Sequence, residues 1–189
     1  MTASWLVRAA LVGALALVLF AVLALMRRAW RRKAVRQRDI PVPREAPTVS
    51  IEWVTEPLAG RYLSSTRAGD WLDRIVVHSM GVPSRAVMGV VTDGVWIERQ
   101  GERDVFVPRE SLVEARLDRG IAGKVYEQGG IVVVMWRLGD MVIDTGFRAQ
   151  NPDHHAELVT AVNACRVETS SPSLSTPGAE PGATPGGLQ

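Results

Sequence analysis

Gly120-Ile121-Ala122-Gly123-Lys124 comes nearest in this chain to a motif with chemistry of its own, because glycines ahead of a lysine can cradle a phosphate. A phosphate loop of the Walker type needs glycine five residues before its Gly-Lys pair and serine or threonine after it. Those positions hold Asp118 and Val125. Two readings remain: a glycine-rich turn with Arg119 and Lys124 in solvent, or a loop that takes an anion or a ligand. Nothing local requires Arg116, Arg119 and Lys124 for folding, so these three cations are the candidate partner-binding loop, suited to an acidic segment of another protein.

The remaining reactive side chains have simpler explanations. His154 and His155 are adjacent at a helix start, where successive side chains diverge by about 100° and cannot share a metal as an i, i+4 pair can; they read as surface residues. His78 has no cysteine or second histidine close in sequence and reads as structural. Cys165 falls on an apolar helical stripe, which makes it a small buried hydrophobe and a poorly exposed nucleophile. As the single cysteine it cannot form an internal disulfide, which suits a reducing compartment. The pairs Asp70 with Asp73 and Asp140 with Asp144 offer only carboxylate identity; Asp70 suits a helix cap and Asp140 a hairpin turn. The sequence therefore predicts no catalytic residue, no metal and no cofactor, and a protein that is not an enzyme.

The segments that hold these residues differ sharply along the chain. Ala9 to Met26 is an unbroken apolar run, which as a helix rises roughly 27 Å against a hydrocarbon core of roughly 30 Å. Its ten Leu, Val and Phe residues favour insertion by roughly 3 to 6 kcal/mol in sum, and Trp5 and Trp30 flank it where amphipathic rings settle at a membrane interface. Arg27, Arg28, Arg31, Arg32, Lys33, Arg36 and Arg38 follow the run, and Arg8 alone precedes it. A secretory signal peptide has the opposite charge order. The positive-inside rule thus places a short N-terminus outside and everything after Met26 in the cytoplasm. The cluster serves as a topology signal, and it also offers a basic surface to anionic lipid headgroups or to a partner.

Residues 1–38 hold eight basic and no acidic side chains, whereas residues 39–189 hold fourteen basic and twenty acidic ones, so the formal charge of +2 conceals two opposite halves. A net acidic soluble part has no footprint for nucleic acid. Asp39 to Ser50, with Pro41, Pro43 and Pro47, predicts an extended spacer. Thr169 to Gln189, rich in Ser, Pro and Gly, predicts a disordered tail. The domain map is thus 1–26 N-terminus and transmembrane helix, 27–59 basic juxtamembrane segment and Pro-rich linker, 60–167 folded domain, and 168–189 tail.

Within the folded part, alternation and turn residues predict seven strands: Arg61–Ser65, Ala86–Thr92, Val95–Arg99, Val105–Pro108, Leu112–Asp118, Ile131–Leu138 and Met141–Thr145. Asp93-Gly94 and Gly139-Asp140 mark tight hairpins, so the strands are antiparallel. Trp71, Leu72, Ile75, Val76 and Met80 fit a helical face ended by Gly81, which predicts a short helix over 70–80. Asn151 as cap and Pro152 behind it open a second, amphipathic helix bearing Leu158, Val162 and Cys165.

Seven antiparallel strands closed by one C-terminal helix is the element order of a pleckstrin-homology (PH)-like barrel. The runs Ser65-Thr66-Arg67-Ala68-Gly69-Asp70-Trp71-Leu72-Asp73-Arg74-Ile75, Leu117-Asp118-Arg119-Gly120-Ile121-Ala122-Gly123-Lys124 and Asp144-Thr145-Gly146-Phe147-Arg148, behind an N-terminal span, resemble a family of small actinobacterial membrane proteins with a PH-like domain. The resemblance covers nearly everything but the tail. Members are described as membrane, export or transporter-like proteins and often sit among pyrimidine biosynthesis genes, so the resemblance implies a fold and a location but no reaction. Phosphoinositide-binding PH domains carry a dense Lys/Arg cluster between their first two strands. Here Thr66 to Arg85 offers Arg67, Arg74 and Arg85 with Asp70 and Asp73 among them. The expected function is a membrane-anchored, non-catalytic PH-like binding or scaffold module facing the cytoplasm, with the bilayer and a protein as partners. The alternative is an accessory subunit of a transport or export complex, its span packed on other helices through Ala10, Gly13, Ala14, Ala16 and Ala21.

Overall fold

The computed structural model describes the backbone of residues 2–45 and 52–166, with side chains from Val7 onward. The Trp5 ring, the middle of the Pro-rich linker and the predicted tail at 168–189 lie outside these residues. The first element is one helix, α1 (Thr2–Arg36), which has no glycine or proline after Gly13 to interrupt it and continues straight through the basic cluster. Over Val7–Arg36 it is long and apolar enough to cross a membrane, and the side chains of its apolar run are all exposed.

The end of α1 is built into the fold. Gln37 is buried, its side-chain nitrogen donating to the Arg74 carbonyl (3.1 Å) and its side-chain oxygen accepting from the Val76 N–H (2.8 Å). Ile40 joins the main hydrophobic core and Pro43 is also buried. This corrects the prediction of a spacer beginning at Asp39: an aliphatic side chain placed among prolines still removes apolar surface from water if a cavity is within reach.

Among the described residues ten strands follow: β1 (Leu58–Arg67), β2 (Asp70–Arg74), β3 (Ser84–Val91), β4 (Gly94–Arg99), β5 (Val105–Pro108), β6 (Leu112–Asp118), β7 (Gly120–Ile121), β8 (Lys124–Val125), β9 (Ile131–Leu138) and β10 (Met141–Ala149). The main sheet runs β5-β4-β3-β1-β10-β9-β6, every pair antiparallel, with β2 on β1; β5 and β6 do not pair, so the sheet curls without closing. All seven predicted strands are present. A hairpin joins β3 to β4 one residue before the expected Asp93-Gly94 turn: Val91 pairs with Gly94, so Thr92 and Asp93 form the two-residue loop, and Gly94 opens β4 at a positive φ of 152°.

The predicted helix over 70–80 is absent. Gly69 turns the chain at φ 81°, the Asp70 carboxylate accepts from the Leu72 and Asp73 N–H groups, and β2 pairs with the free edge of β1. Trp71 and Leu72 remain exposed while Ile75 and Met80 are buried, so the apolar spacing that suggests a helix does not belong to one face. Asp70 caps a turn instead of a helix.

Inside the curl, Tyr62, Met88, Ile97, Trp136, Ile143 and Phe147 are fully buried. The helix α2 (His155–Cys165), entered through a 3-10 turn at Pro152–His154 capped by the Asn151 side chain, covers them with Leu158 and Val162. Its Asn163 side chain both accepts from the Ala115 N–H (2.8 Å) and donates to the Ala115 carbonyl (2.9 Å). The amide thus acts as a neighbouring strand for the open edge at β6. A second, smaller core lies on the outer side of the sheet, where the β7–β8 hairpin folds back and sets Ile121 against Leu63, Ile131 and Val133. A Cβ on Gly146 would stand 2.7 Å from Ile121, so this close approach needs glycine.

Candidate functional site

The predicted loop is a hairpin turn. Ala122 and Gly123 stand at φ 53° and 76° between the paired residues Ile121 and Lys124, as a tight two-residue turn requires. Arg119 and Lys124 are exposed and form no ion pair among the described residues. Arg116 is different. Its guanidinium holds Asp144 through two hydrogen bonds (3.3 and 2.8 Å) and also reaches Asp118 and Glu114 (3.4 and 3.5 Å). Partial burial disfavours its charge, but the Asp144 bond and the surrounding carboxylates outweigh that and hold its pKa above the usual value. Asp144 is itself buried, so Arg116 is needed where it stands, and the idea of three cations free of structural duty is corrected at this residue. Arg116, Asp118, Arg119 and Asp144 line a cleft of about 570 Å³ together with Trp71 and Val125.

Of the basic cluster, Arg27, Arg28, Arg31, Arg32 and Arg36 lie on α1 and face solvent, as does Arg38 just beyond it. Lys33 is half-buried and pairs with Asp73 at 3.1 Å. Burial pushes the Asp73 carboxyl up, but hydrogen bonds from Lys33 and Arg67 outweigh it and hold the pKa below its ordinary value.

The other sequence candidates are structural. His155, predicted at the surface, is buried, with the Ala149 N–H donating to Nε2 (3.0 Å) and Nδ1 against the Gly129 carbonyl (3.0 Å). Both ring nitrogens are therefore used in tying the end of β10 to the loop before β9. His154 stays exposed beside Glu157. His78 contacts the Ile40 carbonyl through Nε2 (2.8 Å) and steadies the segment after α1. Cys165 is half-buried against the core and burial pushes its thiol pKa up, which suppresses the thiolate. Among the described residues, no group of three or more His, Cys, Asp or Glu is placed to hold a metal ion.

One constellation has no sequence signature. Arg61 on β1 lies directly opposite Arg148 on β10 and directly opposite Arg85 on β3, so three guanidinium groups cross the outer face of the sheet in a row. Like charges placed opposite one another destabilise a sheet. Arg148 is offset by Glu127 (2.7 and 3.1 Å) and lies over the Tyr126 ring. The same contact holds the Glu127 carboxyl below its ordinary pKa. Arg61 and Arg85 form no ion pair among the described residues. They border an open cleft of about 700 Å³ with Glu98, Gln100 and Gln150 along its margin. Alternation along a strand predicts that Arg61 and Arg85 point outward, but only the register brings them together.

The interior offers no counterpart to this surface. Trp136 Nε1 donates to Thr145 Oγ1 (2.9 Å), Thr145 to Ser65 Oγ (2.8 Å), Ser65 to the Tyr62 hydroxyl (2.9 Å), and Tyr62 to the Met80 carbonyl (2.6 Å). A donor-only group at one end and a carbonyl at the other give the chain one direction. Burial drives the Tyr62 phenol up to about 12, so it remains protonated and the relay is closed to solvent.

A family model for bacterial PH domain-like proteins matches residues 39–163. No curated protein matches the chain. The matched segment begins beside Ile40, the residue at which the folded core also begins.

Proposed function

Because the chain belongs to the bacterial PH domain-like family, we propose that it is a membrane-anchored, non-catalytic scaffold whose domain faces the cytoplasm and presents its sheet to an acidic segment of a protein partner. The arginine row is the observation that carries this reading. Among the described residues, two of its three guanidinium groups have no carboxylate in an ion pair, and their side-by-side placement lowers stability unless an anion lies across them. Carboxylates at alternate positions of an extended segment lie on one side about 7 Å apart, and the long, flexible arginine side chains rooted on strands about 4.8 Å apart can reach across to them. The exposed Arg119 and Lys124 add to the same positive field. For the anchor, the apolar length of α1 and the seven cations behind it support a single span with the domain on the cytoplasmic side.

The test uses full-length protein in detergent and a fluorescent peptide of alternating Glu and Ser, with an alternating Lys and Ser peptide as control. The acidic peptide should bind and the basic one should not. The double variant Arg61→Glu with Arg85→Glu should weaken binding at least about tenfold and flatten its dependence on salt. Equal binding by wild type and double variant would remove the arginine row as the partner surface.

A further inference from the structure

Residues 167–189 follow α2 and contain seven Ser or Thr, and their second half repeats a four-residue unit: Thr176-Pro177-Gly178-Ala179, Glu180-Pro181-Gly182-Ala183 and Thr184-Pro185-Gly186-Gly187. The first position of the unit is Thr, Glu and Thr in turn. A carboxylate already stands in the middle copy, and a phosphate on either threonine puts negative charge at the equivalent place.

The end of α2 decides which hydroxyl can meet the arginine row. Cys165 Sγ lies 3.8 Å from the Gly94 carbonyl oxygen, so α2 ends beside the turn between β3 and β4. Val91 pairs with Gly94 at that turn, and Arg85 stands six residues earlier on β3, roughly 20 Å along the sheet. α2 covers the inner face whereas the row crosses the outer one, which adds roughly 10 Å, the usual separation of packed layers. A path of about 30 Å therefore joins the end of α2 to Arg85, and an extended chain spans at most about 3.3 to 3.6 Å per residue. The hydroxyls from Thr169 to Ser173 lie no more than seven residues past Arg166 and fall short; Ser175 and Thr176, nine and ten residues past, need the chain nearly straight. Thr184, eighteen residues past, has a reach of roughly 60 Å and arrives with slack.

The row supplies what a phosphate requires. Arg61 and Arg85 stand directly opposite one another on neighbouring strands, exposed and without an ion pair among the described residues. A carboxylate offers two oxygens and one charge, whereas a threonine phosphate offers three acceptor oxygens and a charge of about −1.5 to −2, enough to bridge two guanidinium groups. We infer that Thr184 is a site of phosphorylation and that the phosphorylated tail folds back across Arg61 and Arg85, closing the row to its partner. A protein kinase transfers the terminal phosphoryl group of a nucleoside triphosphate: the bond from Thr184 Oγ1 to phosphorus forms, the bond to the departing nucleoside diphosphate breaks, and the hydroxyl proton passes to solvent. Glu180, one repeat unit earlier, adds negative charge to the same stretch of tail. The inference rests on the arginine row being the partner surface and gives that surface a regulator. A phosphate tethered to the same chain competes at a high effective concentration with an acidic segment that must arrive from solution.

The test uses full-length protein in detergent, made with phosphothreonine at 184, with phosphothreonine at 169 or with neither, and the fluorescent Glu and Ser peptide as probe. Phosphate at 184 should weaken binding of the probe at least about tenfold, independently of protein concentration. Phosphate at 169 should change it less than about twofold, because that residue cannot reach the row. A second probe, a synthetic peptide of residues 178–189, should bind unmodified protein at least about tenfold more tightly when its Thr184 is phosphorylated, and Arg61→Glu with Arg85→Glu should remove the difference. Mass spectrometry of the protein from its own cells should find phosphate on Thr184. Equal probe binding with and without phosphate at 184, while Arg61→Glu with Arg85→Glu still weakens it, would overturn the inference and leave the row as the partner surface. Weakening that appears only as protein concentration rises would overturn the fold-back within one chain, and a Thr184 free of phosphate in every growth phase would overturn the modification. Failure of the Glu and Ser peptide to bind any form would overturn the row and the inference together.

Discussion

Arg99 stands over the ring of Tyr62, its guanidinium carbon 4.0 Å from the ring centroid, and both side chains are buried. From that position it donates to the carbonyls of Ser79 (3.1 Å), Val82 (2.6 Å) and Arg103 (2.9 Å) and to Ser84 Oγ (3.0 Å). The segment it grips includes His78 and Ser79, both at φ 54°, a conformation that non-glycine residues hold only under constraint. A single cation thus fixes the strained connection between β2 and β3.

Arg99→Ala should therefore cost about 2 to 4 kcal/mol, since several buried carbonyls lose their donors at once. Arg99→Lys should recover little of it, because an ammonium cannot fork among the same acceptors. Denaturant midpoints of the three proteins would decide this, and a loss below about 1 kcal/mol in the alanine variant would show the latch to be dispensable.

Tyr62 makes alkaline stability a second readout. Its folded-state pKa is raised from 10.0 to about 12, so its contribution is fully present below pH 10 and is lost as pH rises from there toward 12. Tyr62→Phe, which cannot ionise, should be less stable than wild type at pH 8, with the gap narrowing above pH 10. A gap that stays constant to pH 11.5 would contradict the burial of this phenol.

Trp136→Ala should cost on the order of 3 to 5 kcal/mol, because the ring is fully buried and its N–H starts the hydroxyl chain. Trp136→Phe separates the two contributions: it keeps most of the volume and leaves Thr145 without its donor. It should fall between wild type and the alanine variant in thermal melts.

The N-terminal boundary of the domain can be tested by truncation. A fragment from Arg36 to Val167 retains Gln37, Ile40 and the carbonyl that meets His78, whereas a fragment from Ser50 to Val167 loses all three. The shorter one should be less stable by about 2 to 4 kcal/mol. Equal stability would place the folding unit wholly after Ser50.

Topology is open to a direct check. A reporter active only in the cytoplasm and fused after Gln189 should be active, and activity only from an externally active reporter would reverse the orientation argued from the seven cations behind the span.

The strands were readable because each alternates or lies against a glycine turn, and α2 because Asn151 and Pro152 announce it and Leu158 and Val162 continue it. What escaped the sequence depends on contacts distant along the chain. The segment after Gly69 has helical spacing, yet the free edge of β1 offers it backbone partners and Asp70 bends it into a strand. His155 looks like a surface residue until the loop before β9 supplies a carbonyl for its second nitrogen. Arg116 looks unattached until Asp144 is placed beside it, and the arginine row exists only as a register between three strands. The polar contacts of Gln37 with Arg74 and Val76 have no local signal at all.

Those contacts of Gln37 give α1 a mechanical meaning. A helix whose last turn is hydrogen-bonded into the sheet and followed by a core residue behaves as an axle rather than a tether: it cannot rotate about its own axis without carrying the domain round with it. With α1 as the proposed span, a shift by one residue in the face it presents to a neighbouring helix would swing the arginine row by about 100° in the plane of the membrane. The choice of neighbour inside the bilayer would then set the compass direction from which a partner outside it must approach.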